Sequence, residues 1–364
     1  MRKRARLFSL SALVMVSAMT GVMTAPAASG AIPTCPGPNC ERLAGPTRYD
    51  TAVEIARAKW APSGSPLDAP NEVWVATGEN FPDALAAGAA AGVAVAPLLL
   101  VKQNEIPTTV ENQLEDFATA GASRVYIVGG ADVVSRGVED ALKTLPGSPD
   151  VVRLSGPTRY GTAAKVYEEE ACGFEVFLAT GTNFPDAVAG GALAGSFNFV
   201  FPTFLGVGAI LLANSSGVPQ ETINAMNNCN SDSVTFLGGT DVLPASLQTQ
   251  IDAEVPTVTD FKRLSGATRY ETAVEIAKEF TLAPVDKVYL TVGDNFPDAL
   301  AGGPAAARDP ATFGSPILLS KKDCIPASVN TYLNSLNGGA GPTDIVMLGG
   351  TDVLSNAAPS RVCS

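Results

Sequence analysis

The chain predicts an α/β protein made of three tandem parallel-sheet units, and three observations carry that prediction. First, three short stretches recur in the same order three times. Second, buried-type strand runs alternate with helical periodicity, and no hairpin turns intervene. Third, each recurring stretch directly follows a strand run and ends it with glycine. The first stretch reads R-L-A-G-P-T-R-Y-D-T-A at 42–52, R-L-S-G-P-T-R-Y-G-T-A at 153–163 and R-L-S-G-A-T-R-Y-E-T-A at 263–273. Its second arginine falls at Arg48, Arg159 and Arg269, spaced by 111 and 110 residues. The second stretch is T-G-E-N-F-P-D-A-L-A at 77–86, T-G-T-N-F-P-D-A-V-A at 180–189 and V-G-D-N-F-P-D-A-L-A at 292–301. The third is V-G-G-A-D-V-V at 128–134, with L-G-G-T-D-V-L at 237–243 and again at 348–354. Such self-similarity marks a repeated structural unit of about a hundred residues.

The first copy shows the order of elements. Residues 42–44 form a strand-like stub that stops at Gly45-Pro46. Tyr49, Ala52, Val53 and Ala56 then repeat at helical spacing. The run E-V-W-V-A at 72–76 is a buried-type strand. Asn80-Phe81-Pro82-Asp83 then starts a helix: Asn80 suits the cap, Pro82 suits a first turn where no N–H is needed, and Asp83 favours the positive helix end. The helix over 84–93 is nearly all Ala and Gly, with Gly88 and Gly92 one turn apart, so another backbone can approach it closely. A strand at 97–101, a helix at 110–119, a strand at 124–128 and a helix at 138–145 complete the unit. Residues 151–154 then open the next. Alternation without hairpins implies parallel strands with right-handed crossovers. The units run over 41–150, 151–260 and 261–364. Copy two carries an insertion between Gly195 and Asn214 with Phe197, Phe199, Phe201 and Phe204, and copy three a smaller one over 308–314. Residues 355–364 are short beside the closing helices of the first two copies.

Arg2, Lys3, Arg4 and Arg6 precede an apolar run over 7–23, followed by Ala25-Pro26-Ala27 and Ser29-Gly30-Ala31. This describes a secretory signal over 1–31, with a retained membrane anchor as the competing reading. The chain has 24 Lys+Arg and 36 Asp+Glu, and losing those four basic residues leaves 20 against 36, a balance of −16. Such a surface argues against nucleic acid as a partner. An anionic ligand then needs local arginine clusters or a bridging cation. Six cysteines in an exported chain favour disulfides. Local pairing gives Cys35–Cys40, Cys172–Cys229 and Cys324–Cys363. The competing zinc site lacks C-x-x-C spacing and any histidine.

The C-terminal ends of parallel strands share one edge, which is where open α/β sheets bind ligands. The recurring turns bring Arg48, Asn80, Asp83 and Asp132 to that edge in copy one. Arg159, Asn183, Asp186 and Asp241 correspond in copy two, and Arg269, Asn295, Asp298 and Asp352 in copy three. Alternatives stand beside ligand contact. Asp83, Asp186 and Asp298 suit helix starts, and Asp132, Asp241 and Asp352 suit a cap or an Asx-turn. The three arginines can equally be partners of these aspartates, fixing turns or the seams between units. Arg42, Arg153 and Arg263 are weaker candidates, and Tyr49, Tyr160 and Tyr270 read as core. Without histidine there is no Ser-His-Asp or Cys-His system. Paired carboxylates that recur identically three times do not resemble a single asymmetric glycosidase site.

On the G-P-T-R-Y-x-T-A, N-F-P-D-A-L-A and G-G-x-D-V-L stretches, the chain resembles the type 2 cell-wall-binding repeats of Gram-positive surface proteins. The resemblance covers about 320 of the 364 residues. It implies Rossmann/flavodoxin-like units grouped around a pseudo-threefold axis. It also implies non-covalent attachment of a secreted, wall-associated protein to an anionic, teichoic-acid-like polymer. No membrane partner is expected once the signal is cleaved. The expected site is a basic groove made by Arg48, Arg159 and Arg269 facing one another, with no cofactor beyond Ca²⁺ or Mg²⁺ bridging carboxylates to phosphates. The alternatives are a wall hydrolase of the N-acetylmuramoyl-L-alanine amidase type and a secreted solute-binding protein.

Overall fold

The computed structural model describes residues 40–60, 69–170, 172, 175–196, 208–281, 284–295, 297–309 and 314–363. Cys35, the proposed signal segment and the four phenylalanines of the copy-two insertion lie outside them. The first copy contributes β1 (Cys40–Leu43), α1 (Arg48–Trp60), β2 (Glu72–Thr77), α2 (Pro82–Val93), β3 (Leu98–Val101), α3 (Thr108–Thr119), β4 (Arg124–Val128) and α4 (Arg136–Lys143). The second gives β5 (Asp150–Leu154), α5 (Arg159–Glu170), β6 (Glu175–Thr180), α6 (Pro185–Ser196), β7 (Ala209–Ala213), α7 (Gln220–Cys229), β8 (Ser233–Leu237) and α8 (Ser246–Glu254). The third gives β9 (Asp260–Leu264), α9 (Arg269–Ala277), β10 (Lys287–Val292), α10 (Pro297–Ala307), β11 (Ile317–Ser320), α11 (Ala327–Ser335) and β12 (Asp344–Leu348). A single 3₁₀ turn at Ala358–Ser360 stands where the other copies close with a helix.

The strands form three parallel sheets of four, in the orders β3-β2-β4-β5, β7-β6-β8-β9 and β1-β12-β10-β11. Sequence repeat and sheet are therefore one strand out of step. The opening strand of copy two completes the sheet of copy one, and the opening strand of copy three completes that of copy two. The first strand, β1, pairs with β12 of the third copy and so closes the ring. The recurring turns accordingly meet across copies as well as within them.

Each lobe places its Ala/Gly helix at the centre, and α2, α6 and α10 pack on one another. These helices are apolar all round and buried almost throughout, as a helix enclosed by neighbours must be. Small residues set the spacing. A Cβ on Gly92 would stand 2.9 Å from the Gly195 Cα and 3.1 Å from the Ala307 Cβ. The three equivalent positions Gly92, Gly195 and Ala307 thus meet at one level of the bundle.

Two disulfides staple the outer layer as expected. Cys172–Cys229 ties the end of α7 to the segment after α5, and Cys324–Cys363 ties the loop after β11 to residues beyond the 3₁₀ turn. The Cys35–Cys40 pairing involves a residue outside the described ones. Among the described residues, no helix is long and apolar enough to cross a membrane.

Candidate functional site

The structure turns the recurring stretches into three equivalent seams, each built by two successive copies. The G-x-T-R-Y-x-T stretch forms the turn from an opening strand into the next helix. Its second threonine folds back to hold that turn: the backbone N–H of Gly45 donates to Thr51 Oγ1 at 3.1 Å, Gly156 to Thr162 at 3.2 Å and Gly266 to Thr272 at 3.1 Å. All three threonines are buried. The first threonine starts the helix. At Thr268 it forms a full capping box with Glu271.

The two arginines of each stretch grip different copies. The first reaches back to the preceding copy. Arg153 Nη1 donates to the Gly129 carbonyl at 2.8 Å and Arg263 Nη1 to Gly238 at 2.7 Å, while Arg42 Nη1 donates to Gly349 across the ring closure. These glycines have φ of +119°, +114° and +100°, a left-handed backbone that favours glycine. The weaker candidates Arg42, Arg153 and Arg263 thus tie each copy's opening strand to the strand-end glycine of the preceding copy, within one sheet. The second arginine stays in its own lobe. Arg48 Nη1 donates to the Gly78 carbonyl at 2.6 Å, Arg159 to Gly181 at 2.6 Å and Arg269 to Gly293 at 2.7 Å. Arg269 also pairs with Asp294 at 3.2 Å. The adjoining Tyr49, Tyr160 and Tyr270 rings pack on the same glycines, which have no room for a side chain.

The aspartates that open the central helices lie against the next copy. Asp83 stands beside Thr162 and Arg159, Asp186 beside Arg269, and Asp298 beside Thr51 and Arg48. Burial pushes all three carboxyls up, to about 6 for Asp186 and Asp298, because a charge there gives up its water. The neighbouring arginine opposes the shift in each case, as do hydrogen bonds from Thr162 and Thr51. Asp132 adds to the rise at Asp83. The carboxylates also fill the space over the left-handed glycines Gly129, Gly238 and Gly349.

The candidate residues divide accordingly. Arg48, Arg159 and Arg269 are half-buried and occupy three different seams, each fixed to its own glycine carbonyl and beside its own aspartate. Each arginine thus stands at the mouth of its own seam. Asn80 and Asn183 are exposed and Asn295 is half-buried. Asn80 does not cap α2: Phe81 holds the cap position, and Asn80 Oδ1 accepts instead from the Phe81 N–H at 3.0 Å, as Asn183 does from Phe184. Asp132, Asp241 and Asp352 are exposed on the G-G-x-D turns. Asp132 does not cap α4, whose cap is Ser135, and Asp241 precedes α8, whose cap position is held by Ala245. The buried threonines Thr51, Thr162 and Thr272 were not singled out from the sequence. Their signal was a recurring polar residue on an otherwise apolar helical stripe.

Comparison with known proteins places the chain in a family. The model for Cell wall binding domain 2 (CWB2) matches residues 42–139, 153–248 and 263–358, most of the chain. The chain belongs to the CWB2 family, as three tandem repeats. It is similar to two Bacillus subtilis (strain 168) proteins. One is the N-acetylmuramoyl-L-alanine amidase LytC, 24% identical over 332 residues, 91% of this chain and 60% of that protein. The other is the Amidase enhancer, 28% identical over 291 residues, 80% of this chain and 36% of that protein. Among solved structures it resembles Cwp6 from Clostridium difficile, with a TM-score of 0.72 and 24% identity, covering 88% of this chain and 48% of that one. Cwp8 from the same organism gives a TM-score of 0.72 at 22% identity, over 88% and 50%. These structures share the fold. The chain spans about half or less of three of these relatives and 60% of LytC, so it corresponds to a portion of each.

Proposed function

We propose that the chain is a secreted protein that attaches non-covalently to the cell wall by binding an anionic secondary wall polymer at the three seam mouths. The observation that carries this reading is the threefold family match, which falls on the same stretches that build the seams. Each half-buried guanidinium of Arg48, Arg159 and Arg269 gives Nη1 to a carbonyl, and Arg269 shares that nitrogen with Asp294. The carbonyl bond is itself neutral and fixes the position of each guanidinium. Its nearest carboxylate across the seam is biased towards the neutral form by burial, which favours an incoming phosphate or carboxylate. Three such mouths on one chain give avidity along a repeating polymer, since the second and third contacts become intramolecular. Exposed Asp132, Asp241 and Asp352 supply oxygen ligands through which Ca²⁺ or Mg²⁺ can bridge to the polymer.

The test is sedimentation of the purified chain with native walls and with walls stripped of their secondary polymer, each with and without a chelator. Retention on native walls and release from stripped ones is expected. Replacing Arg48, Arg159 and Arg269 together by Ala should abolish retention with an unchanged circular dichroism spectrum. Equal binding to stripped walls removes the polymer from the reading. The amidase names of the relatives belong to proteins longer than this chain, and the proposed role here is binding without catalysis. Clearing of a wall suspension by the purified chain would reverse that.

A further inference from the structure

The outer helix pairs are equivalent in the three lobes, yet one of them is open. In lobe one, two side-chain bonds cross between α1 and α3: Thr109 Oγ1 to Asp50 Oδ1 at 2.6 Å and Arg57 Nε to Gln113 Oε1 at 2.7 Å. In lobe two, Thr158 Oγ1 bonds Glu221 at 3.2 Å and Asn228 Nδ2 bonds Glu168 at 2.8 Å across the α5–α7 interface. On α9 and α11 the side chains that line the gap bond mostly within their own helix. Glu271 is spent on the capping box at Thr268, and Lys278 pairs with Glu275 on its own helix at 2.7 Å. Thr331 and Ser335 each donate to a carbonyl of α11 itself. Across this pair, Tyr332 Oη donates to the Ala277 carbonyl at 3.0 Å, at the floor. Between the helices lies a groove of about 310 Å³.

The chemistry of the groove is specific. Thr331 and Ser335 have given their protons to the backbone, so their oxygens present lone pairs. Glu271 and Glu275 each keep a second carboxylate oxygen to accept a ligand hydroxyl, one oxygen of Glu271 being taken by the Thr268 N–H and one of Glu275 by Lys278. Lys278 supplies donors at one end. The floor is the buried Val274 and the edge of Tyr332, an apolar strip with polar walls. Acceptor-rich walls repel anions and match a ligand bearing many hydroxyls and one apolar face. The volume is at the low end for small-molecule sites and suits one or two rings. We propose that the α9–α11 groove of the third lobe binds an uncharged sugar residue of a glycan. This site is separate from the seams and does not depend on the seam arginines.

The test titrates the full chain with N,N′-diacetylchitobiose, with glucose, and with inorganic polyphosphate as an anionic control, read by TROSY spectra. At least one sugar should shift amides of residues 271–278 and 328–335, saturating at about millimolar concentration as expected for a ligand this small. Polyphosphate should not shift them. Thr331 is exposed, so Thr331→Trp fills the groove without entering the core, and it should weaken the sugar by about ten-fold or more, roughly the effect of 1.4 kcal/mol. The pair Glu271→Asp with Ser328→Thr installs the lobe-one bridge and should weaken it as well. The Arg159→Ala variant should leave these shifts unchanged even where wall retention falls. No shifts at α9 and α11 with either sugar, or shifts indifferent to Thr331→Trp, overturn the proposal.

Discussion

The three seams are nearly identical at the strand ends where the glycine turns lie and quite different at the opposite edge. At the turn edge, every copy uses the same arginine–glycine bonds, the same threonine fold-back and the same buried aspartate. At the opposite edge, the residue eleven places after Arg48, Arg159 and Arg269 is Lys59, Glu170 and Phe280, and the second strand of each copy opens with Glu72, Glu175 and Lys287. The closing seam therefore brings Lys59 and Lys287 together around Asp309, at 3.7 and 3.4 Å, with that carboxylate only 3% exposed. The first seam brings Glu170 near Glu72, with Tyr126 Oη donating to Glu170 at 2.5 Å. In the remaining seam, Thr235 bonds Glu175 and Lys262 pairs with Glu279. One edge carries chemistry shared by all three seams, and the other carries lobe-specific pairing.

The largest expected loss comes from disturbing what all seams share, the axial bundle. Gly92→Val would drive a branched side chain into the Gly195 backbone, where a single Cβ already stands at 2.9 Å. Overpacking against backbone should cost about 3 kcal/mol, read as a lower urea midpoint with an unchanged slope. A neutral result would mean that the helices can separate freely. Next is the closing seam: Asp309→Asn removes the carboxylate that bridges Lys59 and Lys287. Burial lowers the Lys59 ammonium's affinity for its proton, and Asp309 opposes this most, with Glu41 adding to that opposition and Lys287 working against it. Loss of about 2 kcal/mol is expected, as for breaking a part-buried pair. The lobe-specific view of this edge fails if stability is unchanged.

Wall retention should depend on pH through the shared edge. Asp186 and Asp298 titrate near 6, so below that value they become neutral and stop competing for Arg269 and Arg48. Retention at pH 5.5 should therefore exceed that at pH 7.5 by about two- to five-fold, given that a site gains a fraction of one pKa unit of interaction. Replacing Asp186 and Asp298 by Asn should flatten the profile. A profile falling towards acid would reverse the assigned role of these carboxylates.

How much of this was legible in the chain follows from what is local. The order of strands and helices was readable because period and turn residues are local, and two disulfides were readable because each bridge stays within its copy. The closing of the ring by β1 was not. Residues 40–43 have no feature that names β12 as their partner, and pairing between buried strands is settled by the sheet that lacks an edge. The Asn80 cap failed for a related reason. Asn80 bonds the very next N–H, and Pro82 then fixes the helix start after Phe81. The threonines were hidden because a buried hydroxyl satisfied by backbone resembles a small apolar residue in pattern.

The smallest effect isolates the lobe-specific edge of the first seam. Glu72 is pushed up to about 6, first by burial and then by Glu170, with the Trp74 indole N–H and Arg124 opposing and Glu169 adding to the rise. Because the folded value lies above the unfolded one, the folded chain binds more protons between about pH 4.5 and 6. This seam should therefore gain stability as pH falls through that window, and Glu72 opposes folding above it. Glu72→Gln should stabilise the chain at pH 7.5, by about 1 kcal/mol after allowing for solvent screening of a partly exposed group. The gain should shrink towards zero at pH 4.5. Tyr126→Phe provides the contrast, since it removes the hydroxyl that Glu170 accepts from and should destabilise at pH 7.5 by about 1 kcal/mol. If both substitutions act with the same sign, repulsion between the two carboxylates is not what distinguishes this seam from the lysine-lined one.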